Sequence, residues 1–163
     1  MLGSTLHCEE ETMEPIDKRS DSRSLFVAAS PAQVFAAMSD PERIARWWGP
    51  DGFTNTVHQF DFRPGGTWLL TMHGPDGKDY PNESRFTRIL PDQCFEIEHL
   101  AGHHFVLTIE LSPFQQGTQV QWCQTFDTIA HYEHIAPFVA TANAQNLQRL
   151  AAEVLSASPE VQT

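Results

Sequence analysis

The period of the apolar positions changes twice along the chain, and each change marks a different kind of element. Ser24–Ala29 reads as a first strand. A polar Ser30 followed by Pro31 then opens a helix carrying Val34, Phe35 and Met38, with Ser30 as N-cap and proline at the first helical position. Ser39 or Asp40 caps a second short helix from Pro41, which holds Ile44, Trp47 and Trp48 and stops at Gly49-Pro50. From about Thr54 the alternation becomes two-residue. Strands are predicted over 56–62, 67–72, 80–90, 94–99, 105–111 and 118–126, joined by turns rich in Gly, Pro and Asp. After Asp127 the spacing lengthens again. Ile135, Phe138, Val139, Ala142, Leu147, Leu150, Ala151, Val154 and Leu155 recur at three- and four-residue steps, the mark of one long amphipathic helix.

This order predicts an α+β fold: a curved antiparallel sheet of about seven strands, two short helices after the first strand, and a long C-terminal helix over the concave face. Alternation then assigns the faces. His58, Phe60 and Phe62 fall together, as do Trp68, Leu70 and Met72, then Tyr80 and Phe86, then Phe95, Ile97 and His99. The last two strands contribute Phe105, Leu107, Ile109 and Leu111, and Val120, Trp122, Gln124 and Phe126. The inward face is therefore aromatic, with His58, Tyr80, His99 and Gln124 as scattered polar groups. Two readings follow from the pattern: a packed core with satisfied polar groups, or an apolar ligand cavity with a few orienting ones.

Composition narrows the function classes. The chain has 163 residues, which suits one domain, and 40% of them are hydrophobic. A net charge of -11 argues against a general nucleic-acid binder or an anionic-membrane binder, both of which reward basic patches. Residues 1–20 are acidic and aperiodic and are expected to be a disordered leader, 21–157 a single domain and 158–163 a tail. Cys8, Cys94 and Cys123 are widely spaced and odd in number, which suits reduced thiols rather than a disulfide framework. With no signal-peptide pattern and no long apolar run, the expected location is cytoplasmic, without membrane insertion.

Ser39 to Trp68 contains three of the four tryptophans and two Gly/Pro turns. Pro31, Val34, Phe35, Asp40-Pro41, Trp47-Trp48-Gly49-Pro50, Phe60-Asp61 and Arg63-Pro64-Gly65-Gly66 together resemble the activator-of-heat-shock-ATPase-homologue (AHSA-type) family. Asp76-Gly77, Tyr80-Pro81-Asn82-Glu83 and Gly117-Thr118 extend the resemblance, which covers about residues 22–155. That family belongs to the START-like (SRPBCC) superfamily, which includes the polyketide cyclases and birch-pollen allergen proteins. The resemblance implies a helix-grip fold with a cavity between sheet and last helix, and, through the family name, a link to stress response. Two positions depart from it. Ser84 stands where members often carry glycine, and a side chain there would narrow the space beside the last helix; Ala142-Asn143-Ala144 stands where a Gly-Trp is usual, so both changes depart from the family's cavity shape.

The remaining motifs read mainly as structure. Gly65 and Gly66 suit a tight hairpin turn, and Asp61 with Arg63 suits a local pair that fixes it. Consecutive Trp47 and Trp48 lie about 100° apart on a helix, so one is expected in the core and the other at a cavity mouth or partner surface. His131-x-x-His134 and His103-His104 lack partners at diagnostic metal spacing, so no metal site and no cofactor is expected. His58, Tyr80, Glu83 and His99 are the candidate acid–base groups, without a recognisable catalytic constellation and with no catalytic residue assigned.

The expected function is binding of a small apolar or aromatic ligand. The cavity would be formed by Trp48, His58, Phe60, Trp68, Leu70, Met72, Tyr80, Phe86, Phe95, His99, Phe105, Leu107, Trp122, Gln124, Phe138 and Ala142. A cyclase- or hydrolase-type enzyme using the same cavity and a chaperone-associated interaction protein are the alternatives, and a homodimer is left open.

Overall fold

A computed structural model describes residues 14–162, with side chains described through Ala157. Most of the expected acidic leader, including Cys8, lies outside the described residues. Its last part has structure: Ile16–Arg19 form a 3-10 helix and the first strand begins at Ser20. The strands are β1 (Ser20–Val27), β2 (Thr54–Phe60), β3 (Thr67–His73), β4 (Asp79–Leu90), β5 (Cys94–His99), β6 (Phe105–Phe114) and β7 (Gly117–Phe126). The helices are α1 (Pro31–Ser39), α2 (Pro41–Trp47) and α3 (Ile129–Gln162), so the last helix includes residues expected to form the tail.

The seven strands form one antiparallel sheet in the order β1-β7-β6-β5-β4-β3-β2. Five of the six pairs join strands consecutive in the chain, β1 pairs with β7, and the long excursion from β1 to β2 is where α1 and α2 sit. Each short helix is built as its cap residues dictate. Ser30 Oγ accepts from the Gln33 amide at 3.1 Å while Gln33 Oε1 accepts from the Ser30 amide at 2.8 Å, a reciprocal capping box. Asp40 Oδ1 accepts from the Glu42 amide at 2.9 Å and starts α2. Gly49, at φ +97°, takes the left-handed conformation that ends it.

Two β-bulges reset the faces. β2 shifts register between Val57 and Gln59, and β4 between Phe86 and Arg88. The first matters most. Val57 pairs with Leu70 and Phe60 with Trp68, so both point inward, and the extra residue His58 is thrown to the outer face. Proline also terminates less than its local effect suggests. β6 continues through Pro113 to Phe114, because β5 begins at Cys94 opposite Glu110 and no ladder partner beyond it on that side needs the missing N–H.

The core is a set of stacked rings between the sheet and the helices. Trp47, Trp68, Trp122, Phe86, Phe95 and Phe126 are all essentially inaccessible. Gly66 belongs to the same packing. Its conformation is not left-handed; an added Cβ would stand 1.9 Å from the Asp61 carbonyl oxygen, so it is close approach, not positive φ, that demands glycine there. Gly65, at φ +85°, is the residue of the pair that needs glycine for its backbone. Arg63 Nε donates to Asp61 Oδ1 at 3.0 Å across this turn, as the local pairing predicts.

Candidate functional site

The site is shaped by how α3 grips the loop after α2. Arg149 Nη1 donates to the carbonyls of Gly49 at 2.7 Å, Pro50 at 2.8 Å and Trp48 at 3.2 Å. Its Nη2 donates to the carbonyls of Arg46 at 2.8 Å and Phe53 at 2.9 Å. One guanidinium therefore holds five backbone oxygens of the 46–53 segment, a task suited to its planar fork. Asn146, one turn earlier, donates to Trp47 O at 2.8 Å and accepts from the Gly49 amide at 3.1 Å. One turn later, Glu153 binds Arg43 at 3.0 Å and Arg46 at 2.9 Å. Asn55 Nδ2, from β2, donates to Trp48 O at 2.9 Å.

α2 ends at Trp47, and Trp48 is extended at φ -71°, ψ 133°. The helical 100° offset therefore does not apply between them. Trp47 is buried and its indole N–H donates to Ala37 O at 2.9 Å. Trp48 is half-buried and turns its ring toward the sheet.

A partly open cavity of about 110 Å³ lies between this loop, the inner face of the sheet and α3. Trp48, Gly49 and Pro50 form one wall, and Ala142, Asn143 and Asn146 of α3 form another. Met72, Phe105, Leu107, Trp122 and Gln124 form the sheet floor. Seven residues expected at a cavity are thus brought together there: Trp48, Met72, Phe105, Leu107, Trp122, Gln124 and Ala142.

The others lie elsewhere. Phe60, Trp68, Phe86 and Phe95 interlock beside the cavity, with ring centroids 5.3–5.9 Å apart along the chain of contacts, and Leu70 is buried with them. His58 is exposed on the outer face and pairs with Thr71 Oγ1 at 2.8 Å; the bulge put it there. Tyr80 is 40% exposed, and its hydroxyl donates to Asp76 Oδ2 at 3.0 Å. Phe138 is 70% exposed. The buried stripe of α3 runs through Val139, Asn143, Asn146, Leu147, Leu150 and Val154, about 100° around from Phe138. Val139, Leu147, Leu150 and Val154 are expected on this stripe and lie there; Phe138 is expected inside and points out, while Asn143 and Asn146 take buried positions.

His99 is buried and stacked on Phe105 at 4.5 Å. Its Nδ1 faces His103 O at 2.6 Å and its Nε2 faces Asn82 Oδ1 at 2.5 Å, so both nitrogens are engaged. Burial pulls its pKa below the ordinary imidazole value, against the pull of the His103 carbonyl.

The polar groups that do meet at the cavity are ones the sequence reading had not joined. Asn143 Nδ2 donates to Asp21 Oδ2 at 2.9 Å and to Gln124 Oε1 at 2.8 Å. Arg23 closes on Asp21 with two bonds of 2.9 and 2.8 Å. Burial by itself raises the Asp21 pKa, but the hydrogen bonds from Arg23 and Asn143 outweigh it and hold the carboxyl below its ordinary range. The only early signal for this group was the Asp-x-Arg alternation on the first strand, which places both side chains on one face.

A second polar cluster closes the opposite edge of the β5–β6 turn. His104 Nε2 meets Glu98 Oε2 at 2.8 Å and Nδ1 meets Asp127 Oδ1 at 2.7 Å. Glu98 first and Asp127 second raise the His104 pKa above the usual 6.5, while His104 and Arg85 lower that of Glu98. A raised histidine value stabilises the fold fully below the unfolded value and stops doing so as pH rises through the folded one. The melting temperature should therefore fall as pH rises above about 6.5, and His104→Gln should flatten that slope. A wild-type slope unchanged in His104→Gln would remove His104 as its source.

Among the described residues no three His, Cys, Asp or Glu side chains converge as metal ligands, and no helix is long and apolar enough to cross a membrane. A larger hollow of about 470 Å³ is open surface between α2 and β2, lined by Pro41, Glu42, Ala45 and the strand from Val57 to Phe60.

Comparison with known proteins agrees with this architecture. A structure of a protein from Nitrosomonas europaea matches with a TM-score of 0.80 at 18% identity, covering 89% of this chain and 100% of that one. A solution structure from Arthrobacter aurescens matches with a TM-score of 0.79 at 22% identity, covering 88% and 90%. The AHSA1-like protein from Aeromonas hydrophila matches with a TM-score of 0.66 at 21% identity, covering 85% and 93%. At these identities the likeness is one of fold. No curated protein matches the sequence. The family model described as "Activator of Hsp90 ATPase homolog 1-like protein" matches residues 28–154, and the chain belongs to that family.

Proposed function

We propose that this chain binds a small apolar or aromatic molecule in the cavity between the sheet and α3. The observation that carries the proposal is the wall itself. Two indoles, a phenylalanine, a leucine and a methionine surround a space whose polar neighbours, Gln124, Asn143 and Asn146, each hold a hydrogen bond within the protein. Such a lining suits transfer of an apolar solute from water and fixes few polar contacts. At about 110 Å³ the space suits a solute near one aromatic ring in size; an apolar cavity of about 150 Å³ accepts benzene.

The lining also speaks to the choice between binding and catalysis. His58 and Tyr80 stand away from the cavity and both His99 nitrogens are engaged. The nearest carboxylate, Asp21, is tied to Arg23 and held ionised, which makes it a weak base. No side-chain arrangement among the described residues favours cyclase or hydrolase chemistry, and Trp47 is buried rather than offered to a partner.

Native mass spectrometry and thermal-shift assays with single-ring aromatics, short fatty acids and sterols provide the test. One-ring compounds should raise the melting temperature in a concentration-dependent way, by a few degrees at saturation. A panel in which no compound binds or stabilises would sink the binding reading.

A further inference from the structure

The indole N–H groups of Trp122 and Trp68 are buried without an acceptor, whereas Trp47 donates to Ala37 O at 2.9 Å. Unpaired buried donors are uncommon, and each weakens the fold until something accepts from it. The two orphans share one neighbour. The Trp48 ring lies 4.7 Å from that of Trp68 and 6.2 Å from that of Trp122, centroid to centroid. Trp48 and Trp122 both line the cavity.

We propose that the Trp48 side chain is a removable plug, and that the ligand replacing it is a planar aromatic carrying a neutral hydrogen-bond acceptor, received by the N–H groups of Trp122 and Trp68. This rests on the cavity-binding reading above and specifies its ligand class.

Three features support it. First, the Trp48 backbone is held from both sides: its amide donates to Ile44 O at 2.9 Å, and its carbonyl accepts from Asn55 and Arg149 at 2.9 and 3.2 Å. Displacing the ring about its side-chain torsions would therefore break none of these backbone bonds. Second, Asn143 Nδ2 already serves Asp21 and Gln124 and one N–H of Asn146 Nδ2 serves Trp47 O, whereas neither indole N–H has an acceptor. Third, the positive groups nearby are neutralised or engaged. Arg23 faces Asp21, and Arg149 faces five carbonyls. A carboxylate would find no free cation, so a carbonyl or ring-nitrogen acceptor is the better match.

The test uses two probes of nearly equal shape, acetophenone with its carbonyl and cumene without one. Titration calorimetry compares the wild-type protein with W48A, W122F and the W68F/W122F pair. Tryptophan to phenylalanine removes the N–H but keeps a ring; the smaller ring leaves space in the packed core, so the unliganded melting temperature should fall and is measured beside the affinities. Acetophenone affinity should fall about 5-fold or more in W68F/W122F, with cumene affinity unchanged, and W48A should bind both probes about 10-fold more tightly than wild type. Equal losses for both probes in W68F/W122F would overturn the acceptor class. Binding in wild type that W48A fails to tighten would overturn the plug. If neither probe binds any of the four proteins, the plug and the cavity-binding reading fall together.

Discussion

Phe86→Ala should destabilise the fold by about 3–5 kcal/mol. Phe86 is 0% exposed and meets four rings: Phe62 at 5.0 Å, Phe60 at 5.3 Å, Trp68 at 5.8 Å and Phe95 at 5.9 Å. These come from the end of β2, the turn after it, β3 and β5, so one truncation on β4 removes apolar contact from several strands at once. Rings interlocked at edge-to-face and stacked angles cannot collapse into the void together, because each is also wedged by the next. In a chain of this size the loss corresponds to a fall in melting temperature of about 10 °C. Phe86→Leu, which keeps most of the volume, should cost about 1–1.5 kcal/mol. Urea denaturation of both variants reads the difference. A loss below about 1.5 kcal/mol for the alanine variant would show that the ring cluster relaxes where the packing says it cannot.

Arg149→Ala should cost about 2–3 kcal/mol, less than the five hydrogen bonds would suggest if added singly. Its partners are the carbonyls of Arg46, Trp48, Gly49, Pro50 and Phe53. Some of these can be rehydrated when the side chain goes, which limits the loss. Burial lowers the Arg149 pKa from its usual value, yet guanidinium remains charged throughout the physiological range. The more telling variant is Arg149→Lys. An ammonium keeps the charge but cannot reach the same oxygens from a planar fork, so it should behave much closer to alanine than to wild type. Hydrogen exchange at residues 49–53 should accelerate in both. A lysine variant with wild-type stability and exchange would show that charge alone, and not the fork, holds the loop.

The two effects concern the two walls of one cavity. The ring cluster sets the curvature and filling of the sheet beside it. Arg149, Asn146 and Glu153 set the distance between α3 and the Trp47–Pro50 loop. Ser84, 2% exposed and paired with Trp68 and His99, fills part of the concave face where a glycine would leave space. Between these two walls lies a cavity of about 110 Å³.

The order and kind of the elements were legible in the sequence because they are local. Ser30-Pro31 and Asp40-Pro41 start helices by chemistry within three residues, and two-residue alternation declares a half-buried strand wherever it occurs. The family signature between Ser39 and Trp68 was legible for the same reason: it is contiguous. The inward aromatic face was readable on β3, β6 and β7, where the alternation runs unbroken.

What the tertiary structure alone decided depends on pairings far apart in the chain. A bulge is set by the partner strand's register, so nothing within residues 54–60 announced that His58 would face out and Val57 in. The stripe of α3 that faces the sheet contains Asn143 and Asn146. They are buried because Asp21, Gln124, Trp47 and Gly49 bring hydrogen-bond partners from 19 to 122 residues away, and sequence periodicity scores them as solvent-facing. The status of Trp48 turned on where α2 ends and which indoles it meets. A sequence can show that a face is aromatic; whether that face closes into a solid core or leaves a space depends on how side chains from distant strands divide the volume between them.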